Sequence, residues 1–489
     1  MARLKLRIIT LIFSFLPALG NAESLTQLYK IAVDNDPQWQ AIISNYKADQ
    51  ELKVQSKALL RPTIGINFSK TRSNQDAPDI GITTHPDFNE ELSSCMDANS
   101  DASDCSGPML QFAANGGNLV TLNESGTTKQ STTVDNFTLQ LTQPLFNLER
   151  WHQQKKATFI ESRLKAEHEL AKQQFILRIA EAYFNTLKAK EELEYAKKEQ
   201  GGIGNQLNQA KKRFEAGISG ITDVHEAQGA YDASQIGVII AETSYAGAQE
   251  NLNSITSGQQ KNLAPLREDF PVVAPQPAGA ESWVKLSLRA NKRVLAAFHG
   301  SKAAKEEVVE KTARHAPTVD FIASLTNIKT DNGEDAPFGS SGNLLSDTQR
   351  NSIGIQVTVP LYSGGLTSSQ ARQSSARANA AQSNLLAEQR MTTAKARNTY
   401  RSVLNDVRRV SLAKKAIQSS QNALLATQSG YRAGSRNLLD VLQAQRSAFS
   451  ARRDYTTARY DYIINSLRLK QVSGYLKEVD LEILDEWLQ

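Results

Sequence analysis

The sequence predicts a mostly α-helical chain, duplicated in tandem, that also carries transmembrane β-strands. Three observations lead to that class. The turn motif RFEAGISGITDVHEAQ from Arg213 returns as YRAGSRNLLDVLQAQ from Tyr431, with Gly217 and Gly434, and likewise Asp223 and Asp440, 217 residues apart. Four short segments alternate apolar with polar residues, and helical periodicity runs unbroken over about Leu148–Phe214 and about Leu366–Tyr431. Repetition at a fixed spacing marks one structural unit used twice.

At the start of the chain, Arg3, Lys5 and Arg7 precede the apolar run Ile8–Leu19, and Gly20-Asn21-Ala22 offers a small-residue cleavage site. Residues 1–22 therefore read as a secretory signal peptide, with Glu23 first in the mature chain. The run is too short to remain in a bilayer as a helix. No cysteine follows the site to take a lipid. Without the three basic residues the formal net charge falls from +5 to +2, and a near-neutral chain gives no reason to expect nucleic acid as a partner. No later stretch has the ~20 consecutive apolar residues of a membrane helix, so a membrane role must use strands.

The first repeat covers residues 23–256. Leu25, Leu28, Tyr29, Ala32 and Val33 have helical spacing that continues to about Leu60, with a joint at Pro37. The period then changes to two. Ile64, Ile66 and Phe68 alternate with Gly65, Asn67 and Ser69, which predicts a strand over about 62–72. Phe137, Leu139 and Leu141 against Thr138, Gln140 and Thr142 predict a second over about 134–146. In the second repeat, residues 283–473, Val319, Phe321, Ala323 and Leu325 predict a strand over about 317–327, and Ile353, Ile355, Val357 and Val359 one over about 351–362. Pro62 and Pro317, 255 residues apart, and Pro144 and Pro360, 216 apart, identify these strands as twins. Each is roughly ten residues long, enough for a tilted strand to cross a membrane.

Between the strands of each pair lie polar, turn-rich segments, Thr71–Thr133 and Asn327–Arg350, which read as surface loops. The first holds Cys95 and Cys105, which in an exported chain predict a small local disulfide, against the alternative of two free thiols. Asp97–Asp101 starts like a calcium loop, but Ala102 and Pro108 stand where Gly and Glu are needed, so no metal is expected there.

At 1.5 Å per residue each of the two long helices spans roughly 100 Å. In the second, Val403, Val410, Ile417 and Leu424 repeat every seven residues, as coiled-coil contact requires. In the first, Ile176, Ile179, Ala180, Tyr183 and Leu187 form an ordinary core stripe. Each long helix ends at the repeated turn, where Gly217 and Gly434 suit the left-handed C-cap position. Thr222, Asp223 and Ser435 offer oxygens to the first N–H groups of returning helices over about Ile221–Ile255 and Leu438–Val472. The returning helices are half as long, so a short helix from the other end, such as the one marked by Trp283, Leu286, Ala290, Val294 and Phe298, stacks end to end with each. Pro265, Pro271, Pro275 and Pro277 mark a linker, residues 257–282, and a tail follows at 474–489. Lys292-Arg293 stand opposite Asp36-Pro37, so the helix joint there is expected to differ. The repeats interleave too closely for separate cores and predict a single unit.

Four strands cannot close a barrel, and open edges in lipid leave backbone groups unsatisfied at several kcal/mol each. Several chains must therefore share one barrel, with their long helices continuing it as a hollow cylinder and the turns gathered at its far end. That geometry is a duct.

With LTQPLFNLERW at Leu141, AYFNTLKAKEEL at Ala182, RFEAGISGITDV at Arg213, VPLYSGG at Val359 and YRAGSRNLLDVLQAQ at Tyr431, nearly the whole mature chain resembles the TolC family of trimeric outer-membrane efflux and secretion ducts. The resemblance implies a homotrimer with a twelve-stranded β-barrel, a twelve-helix periplasmic α-barrel and an equatorial collar built from the linker and the terminal segments. It also implies a periplasmic adaptor and an inner-membrane transporter as partners, outer-membrane lipid around the barrel, and no cofactor. Carried over by position, Tyr431 and Arg436 on the second turn hold the entrance closed by bonds to Thr222 and Asp223 on the first. The alternative is that Arg436 pairs with Asp440, four residues on in its own helix. Asp440 matches an acidic ring at the entrance, while Gln443 stands where the family has a second one.

An enzyme finds no support. His85, His152, His168, His225, His299 and His315 are scattered, and neither a nucleophile elbow nor a phosphate-cradling glycine loop is present. A structural or adhesive trimer without a conducting lumen is the competing class, and a soluble periplasmic coiled-coil adaptor a third that the four alternating strands oppose.

Overall fold

A computed structural model describes residues 23–85, 119–258, 262–332 and 346–489. The signal-peptide reading of residues 1–22, the Cys95/Cys105 pair and the Asp97–Asp101 pattern lie outside the described residues. In chain order the elements are α1 (Leu25–Asn35), α2 (Pro37–Ala58), β1 (Thr63–His85), β2 (Leu119–Phe146), α3 (Leu148–Glu215), α4 (Ile221–Thr256), α5 (Ala280–Ala290), α6 (Lys292–Ala313), β3 (Thr318–Asn332), β4 (Ser346–Thr358), α7 (Leu366–Arg432), α8 (Leu438–Val472) and α9 (Val479–Asp485). Among the described residues, no helix is long and apolar enough to cross a membrane.

The chain divides into two compact units, and the division does not follow the duplication. One unit takes the residues up to Ser56, His152–Lys311 and Ser368–Gln489; the other takes Lys57–Trp151 and Thr312–Thr367. The expectation of a single unit is corrected here: the strands of both repeats pair with one another in one sheet, so each unit draws on both halves.

In the helical unit the expected stripe on α3 is the core. Ile176, Ile179, Ala180, Tyr183 and Leu187 are at most 2 % exposed. They meet Leu25 and Leu28 of α1, Tyr460 and Ile463 of α8, and Leu481 and Leu484 of α9. The linker is drawn into the same core. Tyr183 donates to the Ala264 carbonyl at 2.8 Å, and the buried Arg459 guanidinium donates to the carbonyls of Leu266 and Arg267 at 3.1 and 2.7 Å. Tyr460 donates to Glu191 at 2.6 Å, tying α8 to α3. The two ends of the described chain join this layer. Glu23 bridges to Leu263 and Leu488 to Leu266, and the Asp485 carboxylate accepts the N–H groups of Leu25 and Thr26 at 2.8 and 3.1 Å, an anion on the N-terminus of α1. Along α7 the seven-residue spacing is real: Val403 and Val410 are buried, and Ile417 and Leu424 half-buried.

The joints between short helices match between repeats, against expectation. Asp36 and Asn291 are the equivalent residues, both with extended backbone, and they are 255 residues apart like Pro62 and Pro317. Asp36 Oδ1 accepts from Gln38 at 3.1 Å, as Asn291 Oδ1 accepts from Arg293 at 2.9 Å, so Lys292 stands opposite Pro37 and the proline is not what makes the joint. Asn291 also donates through Nδ2 to the Val472 carbonyl at 2.7 Å and so splices the end of α8 to the start of α6, the end-to-end stacking that the helix lengths suggested. A carboxylate has no proton to donate. Asp36 is instead paired with Arg178, and in that repeat Ser257 Oγ reaches the Asn35 carbonyl.

In the strand unit, β1, β2, β3 and β4 form one antiparallel sheet in that order. The register turns four separate alternations into two faces. Directly opposed residues share a face, so Ile64, Leu141, Ala323 and Ile353 form one row and Ile66, Leu139 and Leu325 the next. On the other face lie the rows Gly65, Gln140, Ser324, Ser352 and Asn67, Thr138, Thr326, Arg350. Ile64, Ile66, Phe68, Ile353 and Ile355 are each at least 66 % exposed, so among the described residues nothing covers the apolar face. The strands outrun the alternation. β1 continues to His85 and β2 begins at Leu119, so parts of Thr71–Thr133 and Asn327–Arg350, read as loops, are paired backbone.

Candidate functional site

The two turns close by the same hydrogen bonds. At the end of α3, Gly217 (φ 72°) donates to Phe214 O at 2.9 Å and Ile218 to Arg213 O at 2.8 Å. At the end of α7, Gly434 (φ 78°) donates to Tyr431 O at 3.1 Å and Ser435 to Gly430 O at 2.9 Å. Each is a Schellman ending, whose positive φ a residue with a Cβ adopts only under strain. The duplication therefore holds atom by atom at the motif that first revealed it.

The expected caps do not form. α4 starts from Gly220 with no side-chain cap, so Thr222 and Asp223 leave its first N–H groups alone, although Asp223 in the first turn suits the helix dipole. α8 is capped by Asn437, whose Oδ1 accepts from Asp440 N at 2.8 Å. Ser435 is already engaged, donating through Oγ to Gly430 O at 3.1 Å.

An apolar cluster brings the turns together. Ile203, Leu207 and Ala210 of α3, Ala227 and Ala230 of α4, Tyr431 of α7, and Leu438, Val441 and Leu442 of α8 pack as one. Close approach is written into α3 at Gly202, where a Cβ would overlap the Gln445 amide of α8. Tyr431 thus reaches the first turn, as expected, but through its ring. Its hydroxyl is buried without a hydrogen-bond partner, and the Arg213 guanidinium lies over the ring, 5.0 Å from the centroid. Burial pushes the Tyr431 hydroxyl up from its ordinary pKa, with Arg213 opposing and Asp223 adding, so the phenol stays neutral. Arg436 remains on its own turn, ahead of α8, and faces Asp440 at 3.8 Å, its side chain exposed and that of Asp440 half-buried, the pair four residues apart that stood as the alternative. Bonds from Tyr431 or Arg436 to Thr222 or Asp223 are absent among the described residues within this chain.

Arg213 is the residue that sequence reasoning missed. The repeat alignment held a signal: Arg213 is the twin of Gly430, and a Cβ at Gly430 would crowd Arg436 Cγ at 2.8 Å. One repeat supplies a cation where the other clears space for one.

The family model described as outer membrane efflux protein matches residues 28–258 and 283–475. The outer membrane protein TolC of Escherichia coli is 31 % identical over 356 residues, covering 72 % of this chain and 71 % of its own length. The alkaline protease secretion protein AprF of Pseudomonas aeruginosa is 27 % identical over 93 % of this chain and 85 % of its own. Among solved structures, CusC superposes with a TM-score of 0.70 at 14 % identity, covering 93 % of this chain and 92 % of that one. The outer membrane protein VceC of Vibrio cholerae does so at 0.68 and 18 %, covering 92 % and 96 %. By sequence over most of its length, and by a duplicated helical fold carrying one four-stranded sheet, the chain belongs to the outer membrane efflux protein family.

Proposed function

We propose that the chain is the outer-membrane exit duct of efflux pumps or of type I secretion, a passive channel gated where its helical turns pack together. One observation carries the reading: a four-stranded sheet that, among the described residues, has both outer edges, β1 and β4, unpaired and its apolar face uncovered. Such a sheet is stable in lipid only when further copies close it. Two copies would make eight strands, whose interior side chains fill; three make twelve, wide enough to leave a lumen lined by the Gln140/Ser324 and Thr138/Thr326 rows. Exposed Ile236, Ile239 and Ile240, on one side of α4 at helical spacing, give the helices an apolar face for the same copies.

In this reading Tyr431, Arg436, Thr222 and Asp223 belong to the gate, Asp440 lines the entrance, and residues 257–282 with the terminal segments form the collar. A periplasmic adaptor and an inner-membrane transporter complete the path and supply the energy. Relatives named outer membrane protein TolC and relatives named for protease secretion both match over more than nine tenths of this chain, so cargo follows from the transporter that docks. The test is single-channel conductance of the purified protein in a planar bilayer beside a Tyr431→Ala, Arg436→Ala variant. A small wild-type conductance that rises at least severalfold in the variant is expected. Absence of any conductance would favour a structural trimer instead.

A further inference from the structure

We infer that the two turns are latched by the Arg213 guanidinium resting on the Tyr431 ring, a cation–π contact; the inference rests on the gate reading above. Among the described residues of one chain the Tyr431 hydroxyl is buried without a hydrogen-bond partner, so the contact across the turns is made by the ring. Tyr431 is 9 % exposed and packed among Leu207, Ala210 and Leu438, so the cation above its ring meets a largely desolvated face, the setting in which such contacts are strongest.

Arg213 is committed to that face. Its Nε is buried without a hydrogen-bond partner, and the side chain makes no ion pair among the described residues. The repeat makes the contact one-way. Phe214, the twin of Tyr431, is 44 % exposed, and Gly430, the twin of Arg213, has no side chain, so each chain forms the contact once, from the first turn to the second. Both partners stand at the turn itself: the Arg213 and Tyr431 carbonyls accept the closing bonds of the two Schellman endings. Rotation of either turn away from the other must therefore separate cation from ring.

The test replaces Tyr431 by phenylalanine and by mono-, di- and trifluorinated phenylalanines, in the wild-type and Arg213→Gln backgrounds, and reads single-channel open probability. The ring shapes are nearly identical, so folding is preserved across the series while fluorine withdraws charge from the face. Open probability is expected to climb with each fluorine, by about tenfold from none to three when three copies act together, and Arg213→Gln should both open the channel and flatten the series. A flat series with Arg213 present, or a slope that survives Arg213→Gln, would overturn the latch and leave the duct standing. A wild-type protein that never conducts would remove the duct reading and the latch with it.

Discussion

Asp440 and Gln443 lie three residues apart on one side of α8, Asp440 half-buried and Gln443 exposed. On the proposed duct reading, three copies of Asp440 ring the entrance with carboxylates, a charge that gathers cations at a constriction. That reading has no second ring, because residue 443 is an uncharged amide. Block by a trivalent cation should therefore be weak in the wild type, at least about tenfold tighter in Gln443→Glu, and abolished in Asp440→Asn. Tight wild-type block indifferent to Asp440→Asn would remove the ring. At this scale Gly217 and Gly434 were legible because a left-handed backbone leaves a residue-type signature. Arg213 was not, since its meaning depends on a ring more than two hundred residues away that only tertiary packing brings to it. Ser435 was misread as a cap because the helix starts two residues later, from Asn437, whose Oδ1 accepts the N–H of Asp440.

The two long helices were legible almost to the residue, because periodicity persists over α3 and α7 and the closing glycines mark where they stop, whereas α9, within the segment read as a tail, was not. The strands were legible only where a membrane dictates their faces. Past about residue 70, Arg72, Ser73 and Asn74 no longer alternate, yet β1 stays paired with β2 to His85. Outside lipid, pairing requires backbone bonds and no apolar face, so it leaves no pattern of two. The joint at Asn291 was hidden because Pro37 looked essential and the capping residue before it did not. One amide there accepts from the start of α6 and donates to the end of α8. Asn291→Asp keeps the first role and loses the second, placing a carboxylate against the Val472 carbonyl. It should destabilise the protein by about 1–3 kcal/mol, read as a lower midpoint of thermal unfolding at pH 7. An unchanged midpoint would show that the splice carries no weight.

For the whole molecule, duplication was the most legible feature and its consequence the least. The turns, joints and strands all repeat, yet the two repeats do not make two bodies: their strands pool into one sheet and their helices into one core. Among the described residues the sheet then ends in two unpaired strands, β1 and β4, with β2 and β3 between them. A duct made by joining β1 of one copy to β4 of the next follows from that alone, and it can be read directly. In a Cys95→Ser, Cys105→Ser background, single cysteines scanned along residues 63–69 of β1 are combined with single cysteines along 352–358 of β4 and oxidised in outer membranes. The expected result is covalent trimers at pairs in register, with no larger ladder. Monomers at every pair would contradict the shared barrel, and with it the duct.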